Sequence, residues 1–257
     1  MGYFCTFASG SSGNCAFYMD GRARVLIDGG TNMKHIDRCL RTLGRSMDEL
    51  THILITHGHS DHISALPVLL KHTRATVVCT EGTAEYLCAL PLGARVETIA
   101  TGHAFELCGC PAVAFPTPHD AEGSCGFVMG EGHTRVGICT DLGMPTSEAA
   151  AALIGCRVVL LESNHDVEML KHGPYPIYLK RRILSERGHL SNEDSAKLAQ
   201  YLAVRGTEHI LLAHLSAENN TPELALRACR AALVQAGCTE TEAEVPPRSG
   251  LGQPIAL

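Results

Sequence analysis

Within six positions the chain offers three imidazoles and a carboxylate: His57-Gly58-His59-Ser60-Asp61-His62. Zinc and its borderline neighbours prefer these donors, and a catalytic metal needs several of them from one rigid stretch. The preceding Thr51-His52-Ile53-Leu54-Ile55 is a β-rich apolar run that reads as a buried strand. The donors therefore fall on the turn leaving that strand, and Asp61 sits where the N-cap of a following helix is expected. A polar loop with surface histidines is the plain alternative, and the spacing weighs against it.

The elements that must hold such a turn are legible on both sides of it. Segments near 3–8, 15–19, 24–28, 51–55 and 75–79 read as strands, and Thr31 or Asn32 caps a helix to about Leu43. Between 95 and 140, strands recur between Gly and Pro turns, and Cys108-Gly109-Cys110 reads as a strand turn without a metal role. Ala149 to Ala152 lies in a helix, and Leu160-Leu161 closes a strand. Ser191, with Asp194 three residues on, opens a helix over Asn192 to Val204, and Glu223 to Ala236 is a last helix ended by Gly237. Two strand-rich halves with helices outside predict an α/β fold, an αββα sandwich of two mixed β-sheets flanked by helices. Residues 1–257 read as a single domain with no repeat or linker, and the tail 239–257, with Pro246-Pro247, Gly250 and Gly252, as loosely ordered. Gly10 to Gly13 reads as a tight hairpin turn; an anion nest is the alternative, but no Gly-Lys-Ser/Thr follows as in a Walker loop.

Bulk properties narrow the class. With 45% hydrophobic residues the chain can bury a sizeable core. No apolar stretch reaches the ~18 residues of a membrane span, and a signal peptide's basic region and cleavage site are missing. Twelve cysteines scatter without a C-x-x-C pair, so buried reduced thiols and a reducing, cytoplasmic setting are expected. A net charge of −6 argues mildly against diffuse nucleic-acid binding. The charge is uneven, however: Lys180, Arg181, Arg182 and Arg187 lie against a single Glu186, directly before His189. A solvated surface run is the ordinary explanation of such a stretch.

The histidine-rich turn after a strand resembles the hallmark of the metallo-β-lactamase superfamily. In that family the first two His hold one metal, and the Asp and last His a second. The resemblance thus implies two divalent ions, His57 and His59 at site one, Asp61 and His62 at site two. Nitrogen-rich ligation makes zinc the default, and the carboxylates admit manganese or iron. It also implies His119, in Pro118-His119-Asp120, as the third site-one ligand, Asp141, after Val136 to Thr140, as the bridge, and His214, after Ile210 to Ala213, as the last ligand of site two. Asp28, ending Val25-Leu26-Ile27, would buttress the motif from behind. The opening Ser9-Gly10-Ser11-Ser12-Gly13-Asn14 is similar to the signature of the YycJ/WalJ group, single-domain relatives of ribonucleases J and Z. Glu162 to Asp166, Gly188 to Asn192 and His214 to Asn220 match that group as well. Gly58 departs from expectation, since a larger residue is usual there. The β-CASP insertion of the long nucleases is missing, which implies a looser grip on substrate.

From this resemblance follows a phosphodiesterase, a 5′-to-3′ exonuclease on DNA or RNA, using a hydroxide that bridges two cations. Asp61 would orient the water and take its proton, while Glu162 holds His189 as proton donor to the leaving oxygen. His165 competes for that last role. Ser11, Asn14, His165, Lys180, Arg181 and Arg182 are the candidate substrate contacts, with single-stranded nucleic acid or 5′ ends as partner, no membrane, and a homodimer as one possible assembly. The competing class is a small-molecule hydrolase acting on a thioester, lactone or cyclic phosphodiester. A metal-binding module without catalysis is disfavoured because no ligand is missing.

Overall fold

The first apolar runs are short and broken by tight turns, so they pair as a meander rather than coil. The computed structural model describes residues 2–90 and 95–257. The strands β1 (Tyr3–Ala8), β2 (Cys15–Asp20) and β3 (Ala23–Ile27) are antiparallel, and β4 (His52–Leu54), β5 (Thr76–Thr80) and β6 (Val96–Ile99) then add in parallel. The second sheet repeats the scheme. There β7 (Ala104–Leu107), β8 (Cys110–Pro116), β9 (Cys125–Met129) and β10 (Val136–Cys139) are antiparallel, and β11 (Val158–Glu162), β12 (His209–Ala213) and β13 (Glu242–Glu244) follow in parallel. The last strand, β14 (Ile255–Ala256), returns to pair with β1 in the first sheet.

Helices cover both outer faces. Along the first sheet run α1 (Met33–Thr42), α2 (Ser60–Ile63), α3 (Leu66–Leu69) and α4 (Glu81–Cys88). The second half contributes α5 (Ser147–Leu153), α6 (Val167–His172), α7 (Ile177–Ile183), α8 (Asn192–Ala203) and α9 (Pro222–Gln235). Strand side chains alternate between the two faces, so each sheet feeds two cores. Phe4, Tyr18, Ile27 and Leu54 meet Phe127, Ile138, Leu160 and Leu211 between the sheets. Outside, Phe17 and Ile53 pack with Ile36, Leu40 and Leu66, and Leu161 and Leu212 pack with Leu153, Leu198 and Leu233. Two mixed sheets between helix layers are the αββα architecture. No helix among the described residues is long and apolar enough to cross a membrane.

Caps sit where the residues ask for them. Asn32 accepts from His35 N and Ser191 from Asp194 N, at 2.9 and 3.1 Å. Cys108 and Gly109, at φ 52° and 88°, form the two-residue turn between β7 and β8. Two expectations need correction, and one element is added. Asp61 is not the N-cap of α2; His59 occupies that position, and Asp61 is the second helical residue. The helix α4 was not foreseen, because only Thr83, Ala84 and Leu87 form its buried stripe. Nor is the tail from Thr239 loosely ordered. It supplies β13 and β14, and Arg248 donates to the carbonyls of Leu215 and Ser216 at 3.1 and 2.7 Å. Proline and glycine there mark turns between short sheet-edge strands, which carry too few residues to show a period.

Candidate metal centre and active site

The candidate residues come from distant parts of the chain and meet at one end of the sandwich, beyond the carboxyl ends of the parallel strands. Asp28 follows β3, His57 to His62 follow β4, Asp141 follows β10, Glu162 ends β11 and His214 follows β12. His119 lies just past β8, and His189 in the loop before α8. Asp28, Asp141 and His214 each hold a left-handed backbone, at φ 58°, 56° and 57°. Such a conformation is costly for a residue with a Cβ, and here it turns the side chain sharply at the strand's end into the cluster. The loop after β3 passes directly beneath the motif. A Cβ on Gly30 would lie 1.5 Å from the Asp61 carbonyl oxygen, so only glycine fits.

Donor atoms converge in overlapping groups among the described residues: besides two triads, His57, His62 and Asp141 form one group and Asp141, Glu162, His189 and His214 another. One ligand atom each from His57, His59 and His119 lies within 4.8 Å of the others, and Asp61, His62 and His214 make a second such set. Asp141 stands between them: its Oδ2 is 3.2 Å from His62 Nε2 and its Oδ1 3.7 Å from His119 Nε2. The buried His57 Nε2 and Asp141 Oδ2 have no hydrogen-bond partner. Buried polar atoms without a partner are costly. Orphaned donors that face one another across a cluster of imidazoles and carboxylates fit a divalent cation.

Surrounding groups fix the orientation of the candidate ligands His62 and His214. Asp28 Oδ2 is 2.8 Å from His62 Nδ1, and Thr56 braces Asp28 through its N–H and hydroxyl at 2.9 and 3.0 Å. This leaves His62 Nε2 to face Asp61 and Asp141. Glu162 is fully buried, and its Oε2 accepts from Leu142 N and Leu190 N at 2.8 and 3.1 Å. Its Oε1 lies 2.8 Å from the Nδ1 of both His189 and His214. Burial would raise this carboxyl, but the two imidazoles outweigh it and hold Glu162 at about 2. An ionised carboxylate can only accept, so both Nδ1 atoms donate to it, and the Nε2 atoms are the free ends. His214 Nε2 then meets Asp61 Oδ2 at 3.2 Å.

Charge in the metal-free centre follows from the same contacts. Burial drives His57 well below the ordinary range, where nearby His62 adds to the effect. Burial also opposes charge on His214, yet Asp141 and the hydrogen bonds of Asp61 and Glu162 raise it to about 10. His62 is likewise raised well above its ordinary value by Asp141 and Asp28 despite burial. At neutral pH these two imidazoles therefore carry protons that a metal must displace. Calorimetric titration of metal-free protein with zinc should show release of about two protons per chain, with affinity rising as pH increases towards the His214 value. Buffers of different ionisation enthalpy read the proton count directly, and a buffer-independent enthalpy would contradict this charge state.

The proposed substrate contacts divide. Ser11 is exposed in the turn between β1 and β2, which closes on itself through Gly13 N to Gly10 O at 3.0 Å. Asn14 is buried and faces inward, its Nδ2 lying 3.1 Å from His62 Nε2 and 3.3 Å from Asp61 Oδ2. That makes it a neighbour of the ligands rather than a surface contact. His165 is buried, burial pushes it down to about 4, and neither ring nitrogen has a partner. It is walled off from solvent and cannot reach a substrate in this conformation. Arg182 on α7 grips both oxygens of Asp120, one at 3.0 Å, so it is engaged rather than free for phosphate. Half-buried Lys180 donates its Nζ to the Lys171 carbonyl at 2.7 Å, and Arg181 is exposed. Reading the sequence missed three participants. Asp120 Oδ1 lies 3.4 Å from His119 Nε2, Arg187 Nε donates to the His119 carbonyl at 2.9 Å, and Ser9 Oγ accepts from His214 N at 3.1 Å. Each lies in or beside a stretch that the sequence singles out, but only three-dimensional proximity gives it its partner.

Comparison with known proteins gives the family. A β-lactamase superfamily domain model matches residues 23–215. The chain is 33% identical over 226 residues to the exodeoxyribonuclease YycJ of Bacillus anthracis, which covers 87% of this chain and 86% of that protein. It is 34% identical over 228 residues to the exodeoxyribonuclease WalJ of Streptococcus pneumoniae serotype 2 (strain D39), covering 86% and 84%. The crystal structure of the metallo-β-lactamase fold protein YhfI from Bacillus subtilis aligns with a TM-score of 0.75 at 12% identity, over 99% of this chain and 98% of its own. At that identity the likeness speaks for the fold alone. The chain belongs to the β-lactamase superfamily, as a hydrolase of the metallo-β-lactamase fold related to YycJ and WalJ.

Proposed function

We propose that this protein is a dinuclear, metal-dependent phosphodiesterase that removes nucleotides from the 5′ end of single-stranded DNA. The observation that carries the reading is the Glu162–His189 pair. Its Nδ1 contact of 2.8 Å turns the other nitrogen of a partly exposed imidazole towards the open side of the cluster. A thioester supplies a thiolate that leaves without a proton, whereas the 3′ oxygen of a phosphodiester must be protonated as it departs. The relatives named exodeoxyribonucleases favour the same substrate class.

The proposed ligands are His57, His59 and His119 for one ion, Asp61, His62 and His214 for the other, with Asp141 between. Two bound cations supply Lewis acidity and an activated water at neutral pH. The remaining work falls to the chain. Hydrogen bonds from His214 and His62 outweigh burial and hold Asp61 well below the ordinary carboxylate range. Asp61 is thereby suited to orient the attacking water by accepting its hydrogen bond, more than to store its proton. The Arg182 hydrogen bond lowers the Asp120 carboxyl to about 2, so this carboxylate stays ionised while its Oδ1 lies 3.4 Å from His119 Nε2 and 3.7 Å from His59 Nε2.

A substrate panel tests the reading: 5′-phosphorylated single-stranded DNA labelled at either end, the matching RNA, nitrocefin and a thioester, each with zinc and with manganese. The 5′-labelled DNA should release labelled mononucleotide from the start, while the 3′-labelled strand shortens stepwise, and chelation should stop both reversibly. Turnover of nitrocefin or the thioester with every oligonucleotide left intact would move the protein to the small-molecule hydrolases.

A further inference from the structure

The unusual glycine of the metal motif has a physical cause. A Cβ built on Gly58 would lie 2.6 Å from Cδ1 and 2.8 Å from Cγ of Tyr86, so the phenol ring rests directly on the backbone between His57 and His59. Tyr86 comes from α4, and 57% of it remains exposed although it sits against one of the most buried turns of the molecule. His59, on the same side, has a side chain 36% exposed. An accessible aromatic ring therefore lies against the residue that separates two candidate ligands. The helix carrying it has Glu81 and Glu85 and no lysine or arginine, so it offers nothing to a phosphate. An aromatic surface without neighbouring cations suits the flat face of a base, not the backbone.

We infer that Tyr86 is a substrate-positioning residue whose ring stacks on the nucleobase next to the scissile phosphate. This rests on the nuclease reading and adds a residue to it. Stacking on an aromatic side chain tolerates any base, because every base has a π-face. The role thus predicts grip without sequence preference, in a chain that lacks the clamp of the longer nucleases. Gly58 is the counterpart: with a side chain there, the ring could not lie close enough to the ligands for a base beside the reacting phosphate to reach it.

The test compares the metal-loaded wild-type enzyme, Tyr86→Ala and Tyr86→Phe on two single-stranded DNA oligomers, one intact and one with an abasic residue beside the scissile phosphate. On intact DNA, Tyr86→Ala should raise KM about tenfold or more with kcat largely kept, and Tyr86→Phe should behave as wild type. On the abasic oligomer, wild type and Tyr86→Ala should have the same KM, because no base is left to stack. An equal KM increase on both oligomers, or none on either, overturns the role. Metal content is measured alongside, and loss of zinc from Tyr86→Ala would make the ring a buttress of the ligand turn instead. A wild-type enzyme that leaves intact DNA uncut overturns the nuclease reading itself, and the stacking role with it.

Discussion

His189→Ala should slow cleavage of an ordinary phosphodiester by about a hundredfold or more while leaving metal content unchanged. The geometry separates the two effects. His189 meets Glu162 through Nδ1 and packs its ring against His119 at 5.1 Å between centroids, but its donor atoms group with Asp141, Glu162 and His214 and belong to neither the His57–His59–His119 nor the Asp61–His62–His214 set. Removing it takes away the proton for the departing 3′ oxygen and leaves the metal donors in place. A nitrophenyl phosphodiester, whose leaving group departs without a proton, should lose far less. If both substrates lose equally, His189 positions the substrate and its place as the general acid is gone.

Glu162→Gln should do more damage than its size suggests, because the carboxylate cannot be replaced by an amide. Leu142 N and Leu190 N can only donate to one oxygen, at 2.8 and 3.1 Å, so the amide oxygen must stay on that side. The amide nitrogen is then directed at the Nδ1 atoms of His189 and His214, both of which donate in the native centre. Each imidazole must move its proton to Nε2 to accept, and His214 Nε2 loses the lone pair with which it would bind metal. The expected result is loss of one equivalent of metal per chain, a fall in rate of at least a hundredfold, and a smaller rise in thermal stability on adding zinc. Full metal content with wild-type rate in this variant would show that Glu162 orients neither ring. Glu162→Gln and His189→Ala together distinguish a carboxylate that serves only the proton donor from one that also holds a ligand.

The candidate donors could be sought in order along the chain, with the family resemblance as guide, because each follows an apolar run. His57 to His62 stand at the close of β4, Asp141 two residues after β10 and His214 directly after β12. Strand ends are the only places where a sheet can present several side chains to one point, and short apolar runs mark those ends in the sequence. The fold class was legible for the same reason: strands alternate between two apolar faces, and both sheets require helices outside. What periodicity does not encode was misjudged. Asn14 looked like a surface contact of a Gly-Ser turn, yet it is buried against His62 and Asp61. The tail looked unstructured because its pairing strands are two and three residues long.

The sequence by itself determined the two-sheet architecture and the strand-end turn that carries His57 to His62, which depend on residue type and spacing over a few positions, while His119, Asp141 and His214 were singled out as candidates only through the family resemblance. Only the tertiary structure decided which candidate side chains are free to act. Arg182 is spent on Asp120, 62 residues away, and His165 is sealed in the interior. Glu162 serves His214, 52 residues away, as well as His189. Tyr86 reaches the metal motif only because Gly58 lets a helix from the next strand crossover approach its backbone. Such pairings depend on three-dimensional distance between segments far apart in the chain, and no local pattern of hydrophobicity or charge carries that distance.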